Sequence, residues 1–350
     1  MTTTFTRSSI RVTKHGGADV LSLFKGETVM VAPPLLPSQV LVQHEKAGVN
    51  MIDTYYRKGL YPLRGSGFPF IPGTEGAGVV VAAGESEEAQ RLLNKSVVFF
   101  SCLPDEGGYT TAAVHNANEV TEVPKDVPSE LATVVCGIQG LTAHYLVETA
   151  MPPVSPQTKA VLLNAAAGGT GLLLAQMCKI RGAEKVIGIC SGTEKAKLAV
   201  EVGGVDVVID RSEVKEGWVE AVKQAAPGGV DVFYDSAGAS TFATPGALSV
   251  LRPRGSLITF GNSSGPAPAI EPLKLTAQGS ISLQRPKLND FVADPVERKR
   301  RIDEMIGLAK DGKIKTLISI MPLSKAAEAQ VLLESGQTKG KLLLDCTVVE

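Results

Sequence analysis

The chain is poor in the residues that hold metals and cross-links. Its five cysteines, Cys102, Cys136, Cys178, Cys190 and Cys346, are far apart and odd in number. That argues against a disulfide framework and for a reducing compartment. The four histidines, His15, His44, His115 and His144, do not pair at metal-ligand spacing. No stretch approaches the length of an apolar membrane span. With a formal net charge of -1 and no long run of one sign, bulk attraction to nucleic acid or to an acidic membrane is not indicated. A nucleophile elbow is missing, so a serine or cysteine hydrolase finds no support. There is no internal repeat and no low-complexity tract. The opening MTTTFTRSSIR is rich in Thr and Ser and lacks acids, a faint likeness to an organellar transit peptide, yet it has no secretory apolar region. A short lead into a first strand, in a cytoplasmic protein, is the expectation.

What is present begins with size. The 350 residues exceed the usual length of one domain, and 44% hydrophobic with 20% charged residues is a globular composition. The most informative stretch is KAVLLNAAAGGTGLLLAQMCKIR, Lys159 to Arg181. Val161, Leu162 and Leu163 read as a strand buried on both faces. A turn of small residues follows, Ala165-Ala166-Ala167-Gly168-Gly169-Thr170-Gly171, and then a run of good helix formers. Strand, glycine turn and helix form the first unit of a dinucleotide-binding domain. Gly168 would let the backbone approach a pyrophosphate, and Gly171 would let the helix lie against the strand. The amides of Gly168, Gly169 and Thr170 would present the helix's positive end to a phosphate. Taken alone, a plain glycine-rich βα turn reads the same way.

Residues 9 to about 125 read as short strands separated by Gly and Pro, with Pro33, Pro34 and Pro37 punctuating an early connection. NMIDTYYRKGLYP is taken with these strands, and Glu85 to Leu93 as a charged loop or single helical turn. Such a pattern predicts a compact barrel or sandwich. From Pro128 the spacing turns helical, with Ser129 as a candidate N-cap. After Pro152, Pro153 and Pro156 come βα units. Strands are expected at 185–189, 205–209, 230–234 and 256–260, with helices at 193–202, 213–226 (carrying Trp218) and 243–251. Alternation of this kind demands a parallel sheet. The tail holds a basic-acidic helix in which Arg298-Lys299-Arg300-Arg301, interleaved with Glu297, Asp303 and Glu304, reads as a solvated face.

An NAD site would place an acidic side chain at the end of the second strand. Here that strand ends in Cys190-Ser191-Gly192, while Lys195 and Arg211 follow within reach of a 2′-phosphate. Glu194 and Asp210 argue the other way. NADPH is the expected cofactor.

These residues lead to a family. The chain resembles the zinc-independent, zeta-crystallin-like quinone oxidoreductases of the medium-chain dehydrogenase/reductase superfamily. The resemblance covers essentially the whole chain. It is carried by Gly48-Val49-Asn50-Met51-Ile52-Asp53-Thr54-Tyr55 with Gly59-Leu60-Tyr61-Pro62, by Pro72-Gly73-Thr74-Glu75-Gly76-Ala77-Gly78, by Gly140-Leu141-Thr142-Ala143, by the glycine turn, and by Phe260-Gly261-Asn262-Ser263-Ser264-Gly265. It implies an α/β fold: a Rossmann-type doubly wound parallel sheet domain, residues 131–276, inserted into a GroES-like β-rich barrel domain made of residues 1–130 and 277–350. The nicotinamide would lie in the cleft. The resemblance further implies that Asn50 and Tyr55 sit beside nicotinamide and substrate with Thr142 nearby. Ala167, Gly168, Gly169, Thr170 and Gly171 would hold the pyrophosphate, and Gly192, Lys195 and Arg211 would surround the adenosine and its phosphate. Gly238, Phe260, Gly261 and Asn262 would line the nicotinamide side, approached by Leu283 and Arg285. A homodimer is also implied. Arg211 stands where an aromatic or histidine is the family's habit, and insertions near 85–91 and 153–158 disturb the local match.

Zinc-dependent members carry Gly-His-Glu at the barrel core, where this chain has Gly73-Thr74-Glu75. Threonine does not replace imidazole as a zinc ligand, so a zinc-free enzyme is expected. Without a Lewis acid, an electron-poor quinone is the suitable hydride acceptor. Tyr55 is placed to donate a hydrogen bond to the reduced oxygen and Asn50 to fix the pose. An alkenal or enone double-bond reductase is the alternative on the same fold. A cofactor- or RNA-binding protein without turnover is a third.

Overall fold

The computed structural model describes residues 3–31, 35–63, 65, 67–100, 106–149, 153–214 and 217–349. Pro33, Pro34, Cys102 and Pro152 lie outside the described residues. The chain divides into two compact units, Met1–Ile138 with Ile318–Glu350, and Gln139–Leu317.

The first unit opens with β1 (Thr3–Val12) and β2 (Leu21–Val31), an antiparallel pair. Then come β3 (Gln39–Gly48), α1 (Met51–Lys58), β4 (Gly76–Ala83), α2 (Glu87–Leu92), β5 (Ser96–Phe99), β6 (Ala112–Asn116), β7 (Val120–Glu122) and α3 (Ser129–Val135). Helix α1 corrects the expectation of a strand across NMIDTYYRK. Two local signals start and stop it. The Asp53 carboxylate accepts from the Asn50 N–H at 2.9 Å, and Gly59 adopts the left-handed conformation that closes the last turn. At α3 the cap is Pro128, and Ser129 is already helical.

The second unit holds α4 (Ile138–Thr149, entering from the first), β8 (Ala160–Asn164), α5 (Gly169–Ile180), β9 (Lys185–Cys190), α6 (Thr193–Glu201), β10 (Val207–Asp210), α7 (Arg211–Val214) and α8 (Trp218–Ala225). It continues with β11 (Val230–Asp235), α9 (Ala239–Ala243), β12 (Leu251–Thr259), α10 (Pro272–Ala277), β13 (Ser282–Gln284), α11 (Leu288–Val292) and α12 (Pro295–Lys310). The helix expected over 243–251 is α9 followed, past Pro245-Gly246, by a short 3-10 turn at Ala247–Val250. The helix expected over 213–226 is likewise divided between α7 and α8. The sheet is wholly parallel, in the order β10-β9-β8-β11-β12-β13. Its core packs Leu162, Ile187, Phe233 and Leu257, all fully buried, around Trp218. Each such side chain contributes roughly 1.5–3 kcal/mol of burial free energy.

The tail rejoins the first unit at Ile318 and not at 277. Strand β13 extends the parallel sheet from β12, and α12 is bound into the second unit by ion pairs. There Arg301 reaches Glu148 at 2.7 Å, and Arg181 reaches Glu304 at 2.8 Å. The expected solvated basic face is therefore half wrong: Lys299 and Arg300 are exposed, whereas Arg298 and Arg301 are buried. Strands β14 (Ile318–Pro322) and β15 (Lys341–Asp345), with α13 (Ala326–Glu334) between them, complete the first unit. Its main sheet runs β14-β15-β3-β4-β5-β7, with β6 also on β3.

Candidate functional site

In the second unit the strand order reverses between β8 and β11. That reversal opens a crevice at the carboxyl ends of the strands, where α/β sheets bind ligands. The glycine turn leaves β8 there. Asn164 ends the strand, and its side-chain oxygen accepts from the Ala165 N–H at 2.9 Å. Ala165 takes a φ of 55°, a left-handed conformation that this bond supports. Gly168 caps α5, and its own N–H is spent on the Ala165 carbonyl at 2.9 Å. The amides left for an anion are therefore those of Gly169, Thr170 and Gly171, one residue further on than expected.

The glycines of the turn differ in what they permit. A Cβ on Gly171 would stand 2.3 Å from the Ala165 carbonyl oxygen, so the turn's backbone and the helix approach too closely for any side chain. A Cβ on Gly168 would meet only that oxygen, at 3.2 Å, and is otherwise open. Ala167 is buried, and Thr170 is partly exposed. Beside the turn, the Gln139 side-chain oxygen is buried, has no hydrogen-bond partner among the described residues, and lies against Gly169. An orphaned acceptor at this place fits a ligand that brings a donor, such as a hydroxyl or carboxamide. Thr142, one turn further along α4, is buried.

Gly192 follows β9 at a φ of 93°, with open space where a Cβ would stand. Its N–H is held by Asp210 at 2.8 Å, and Asp210 also accepts from the Ser212 hydroxyl and N–H. The Ser212 hydroxyl bond, with the Gly192 N–H, holds the Asp210 carboxyl below its usual range. Asp210 is thus committed to joining the loops after β9 and β10. Lys195 in the first turn of α6 and Arg211 opening α7 follow those two loops.

Asp235, the last residue of β11, governs the other half. It is fully buried and accepts from the Asn164 amide (3.2 Å), the Thr241 hydroxyl (2.6 Å), the N–H groups of Ala237 (3.1 Å) and Gly238 (3.0 Å), and the Thr259 hydroxyl (3.3 Å). The two turns it gathers meet backbone to backbone. A Cβ on Gly238 would stand 2.4 Å from the Gly265 oxygen, and one on Gly261 would stand 2.3 Å from the Ser236 oxygen. Phe260 donates its N–H to the Asp235 carbonyl at 2.8 Å. Arg285 reaches Thr259, the Gly261 carbonyl and the Asn262 side chain at 3.1, 3.0 and 3.0 Å. Leu283 pairs with Leu257 on the exposed edge of the sheet.

The first unit gathers a second polar cluster around α1. The Asn50 side chain donates to the Glu75 carboxylate at 2.7 Å and accepts from the Lys341 ammonium at 2.7 Å. Lys341 also pairs with Glu75, and all three are buried. The Asn50 side chain is therefore held by Glu75 and Lys341 at the start of α1. Asp53 accepts from the Thr74 hydroxyl at 2.9 Å and the Tyr109 hydroxyl at 3.1 Å. Burial pushes its carboxyl up to about 6. Tyr55 is partly exposed, its ring set edge-on to Tyr61 at 5.4 Å.

Zinc does not fit the Thr74 position. Its hydroxyl is spent on Asp53, and the neighbouring Glu75 already has an ammonium as its cation. Among the described residues, His144, Glu148 and Glu304 come close enough to share an ion. Arg300 and Arg301 hold Glu148, Arg181 holds Glu304, and Arg301 donates to the imidazole, so cations fill that cluster as well.

A parallel sheet in this order, with its glycine turn and its gathered second half, defines a dinucleotide-binding α/β protein. Residues 36–150 match the alcohol dehydrogenase GroES-like domain, and residues 169–298 match the domain described as zinc-binding dehydrogenase. A probable quinone oxidoreductase of Schizosaccharomyces pombe is 34% identical over 341 residues, 96% of each chain. The 2-haloacrylate reductase of a Burkholderia species is 32% identical, covering 95% of this chain and 96% of its own. The structure of Escherichia coli quinone oxidoreductase complexed with NADPH superposes with a TM-score of 0.86 at 31% identity, covering 97% of this chain and 99% of that one. The chain belongs to the quinone oxidoreductase family of the medium-chain dehydrogenase/reductase superfamily. Among the described residues, no helix is long and apolar enough to cross a membrane.

Proposed function

We propose that this protein is an NADPH-dependent quinone oxidoreductase. What supports the reading is the reversal of strand order beside a glycine turn, in a chain 34% identical to a probable quinone oxidoreductase, combined with a Thr74 position that does not suit zinc. NADPH supplies the hydride when bound. The residues that would hold it are Gly169, Thr170 and Gly171 at the pyrophosphate, Gly192, Lys195 and Arg211 at the adenosine phosphate, and Gly238, Phe260, Gly261, Asn262 and Arg285 at the nicotinamide end. Ala167, Gly168 and Leu283 would line the site through backbone or packing, and Thr142 would stand nearby. Tyr55 donates a hydrogen bond to the reduced quinone oxygen, and Asn50 acts through Tyr55 by fixing α1. The barrel unit is the catalytic domain, and the unit with the parallel sheet binds the cofactor.

A cofactor-specificity ratio tests this. Wild type should prefer NADPH to NADH. Lys195→Ala and Arg211→Ala should each weaken NADPH by roughly ten- to a hundredfold, a charged contact to phosphate being worth about 1.5–3 kcal/mol, and leave NADH nearly unaffected. A wild-type preference for NADH, or an unchanged ratio in both variants, defeats the assignment.

The haloacrylate reductase among the relatives favours a second reading, an enal or enone double-bond reductase. Turnover compared on benzoquinones and on α,β-unsaturated aldehydes separates the two. The RNA-binding alternative loses its basic tract, since Arg298 and Arg301 are buried. We also propose a cytoplasmic homodimer. The edge strand β13, with Leu283 exposed at 36%, supports association through that edge.

A further inference from the structure

An exposed arginine side chain ordinarily samples many rotamers, and ordering it on a ligand costs entropy. Arg285 is exposed, yet three acceptors already hold it. Of the three, the Thr259 hydroxyl is the one that leads inward. It accepts from Arg285 at 3.1 Å and donates to the Asp235 carboxylate at 3.3 Å, and Thr259 itself is 4% exposed. Behind it, Asp235 is 0% exposed, and among the described residues its hydrogen-bond donors are all uncharged. Backbone N–H groups and neutral side chains satisfy it instead. A buried carboxylate is thereby joined to an exposed guanidinium through a single hydroxyl.

Location gives this chain of bonds its meaning. Asp235 ends β11, the strand that borders the reversal of strand order, and its bond to Asn164 spans the gap to β8. Doubly wound sheets of this order bind one nucleotide per half. Gly192, Lys195 and Arg211 belong to the half formed by β8, β9 and β10. The turns that Asp235 gathers belong to β11, β12 and β13. Resting on the reading of this protein as NADPH-dependent, we propose that Asp235 and Thr259 are positioning residues for the nicotinamide half of the crevice. They preset Arg285 and the Phe260-Gly261-Asn262 turn in the geometry that the cofactor requires. Affinity arises here from an arginine ordered before the ligand arrives.

The experiment measures NADPH dissociation constants by fluorescence on the full-length protein. Thr259→Val keeps the shape of a buried strand residue but removes the hydroxyl, and should weaken NADPH roughly five- to tenfold. Thr259→Ser restores the hydroxyl and should bind within about twofold of wild type. Adding Arg285→Ala to Thr259→Val should cost no more than Arg285→Ala alone, because both act on one interaction. Arg285→Lys, at an exposed position where folding is not at stake, keeps the charge but loses the fork, and should bind as poorly as Arg285→Ala. Wild-type affinity in Thr259→Val, equal losses in the Val and Ser variants, additive losses in the double variant, or full affinity in Arg285→Lys would each overturn the proposal while the functional reading stands. A wild-type protein that binds no NADPH overturns that reading and the proposal together.

Discussion

The polar clusters of the two units, one around Asn50 and the other around Asp235, bury charge in different ways. Around Asn50 there are two carboxylates, Asp53 and Glu75, and one ammonium, Lys341, with Glu75 and Lys341 forming a buried ion pair. Around Asp235 a single carboxylate is satisfied by neutral donors alone. The first arrangement depends on pairing. Removing one member leaves another charge stranded, and the desolvation penalty then falls on it. The second depends on geometry, since five donors from four segments must converge on one side chain. Charge pairing of this kind controls stability and its dependence on pH, whereas convergent hydrogen bonding shapes the turns at the carboxyl ends of β11 and β12.

The largest effect that tests this contrast is expected from Lys341→Met. It leaves Glu75 without its cation and Asn50 without a donor, and should cost about 3–5 kcal/mol in a urea titration. A loss below about 1 kcal/mol would mean that the pair is not what holds the cluster.

The pH dependence of the first unit sharpens the contrast further, because two groups oppose each other. Burial, with the charge of His115 second, holds the His44 imidazole well below its usual 6.5. The two rings meet Nε2 to Nε2 at 3.0 Å beside Phe99, so they share one proton between them. Below pH 6.5 the unfolded chain takes a proton that the folded one refuses, and stability falls on acidification. Asp53 has the reverse sign. Its carboxyl is raised from 3.8 to about 6, so between those values the folded state holds the extra proton. Its contribution is fully present below 3.8 and lost as pH rises through about 6. Unfolding midpoints at pH 7.5 and 5.5 should therefore show a smaller acid loss for His44→Gln and a larger one for Asp53→Asn. Each difference should be of order 1 kcal/mol. Parallel pH profiles for wild type and both variants would refute the assignment.

At the small end is Lys299→Ala, which removes an exposed pair with Asp303 at 2.6 Å. Its cost should stay within about 0.5 kcal/mol by the same urea titration, because solvent screens such a pair. A larger loss would mean that the exposed face of α12 contributes more than its burial indicates.

The parts of this molecule that were legible beforehand are those written in short stretches. The apolar run at 161–163, the small-residue turn and the following helix formers specify β8, the crevice and α5 within one segment. Even there Gly168 was misread by one residue, because its bond to the Ala165 carbonyl depends on a left-handed alanine that no propensity announces. Helix α1 was legible too. Asn50 with Asp53 three residues on, and Gly59 at the far end, were visible caps outweighed by the strands around them. Other features depend on distant partners. Arg301 is buried because Glu148, 153 positions earlier, receives it. Lys341 belongs to the Asn50 cluster across 291 positions. The return to the first unit at Ile318 likewise follows from strand and ion-pair partners and not from composition. Asp235 had a faint local signal, an acid ending a fully buried strand three residues before a glycine.

The thiols bear on how such an enzyme survives its own chemistry. Quinones and enals are electrophiles that alkylate cysteines, and the species they attack is the thiolate. All four described cysteines, Cys136, Cys178, Cys190 and Cys346, are buried. Burial pushes the thiols of Cys178 and Cys346 far above their ordinary range, and that of Cys190, at the end of β9, up to about 11. These three thiols remain protonated throughout the physiological range. A protein that handles soft electrophiles thus presents almost no accessible thiol from these four positions, and it is the packing of the core that withholds them.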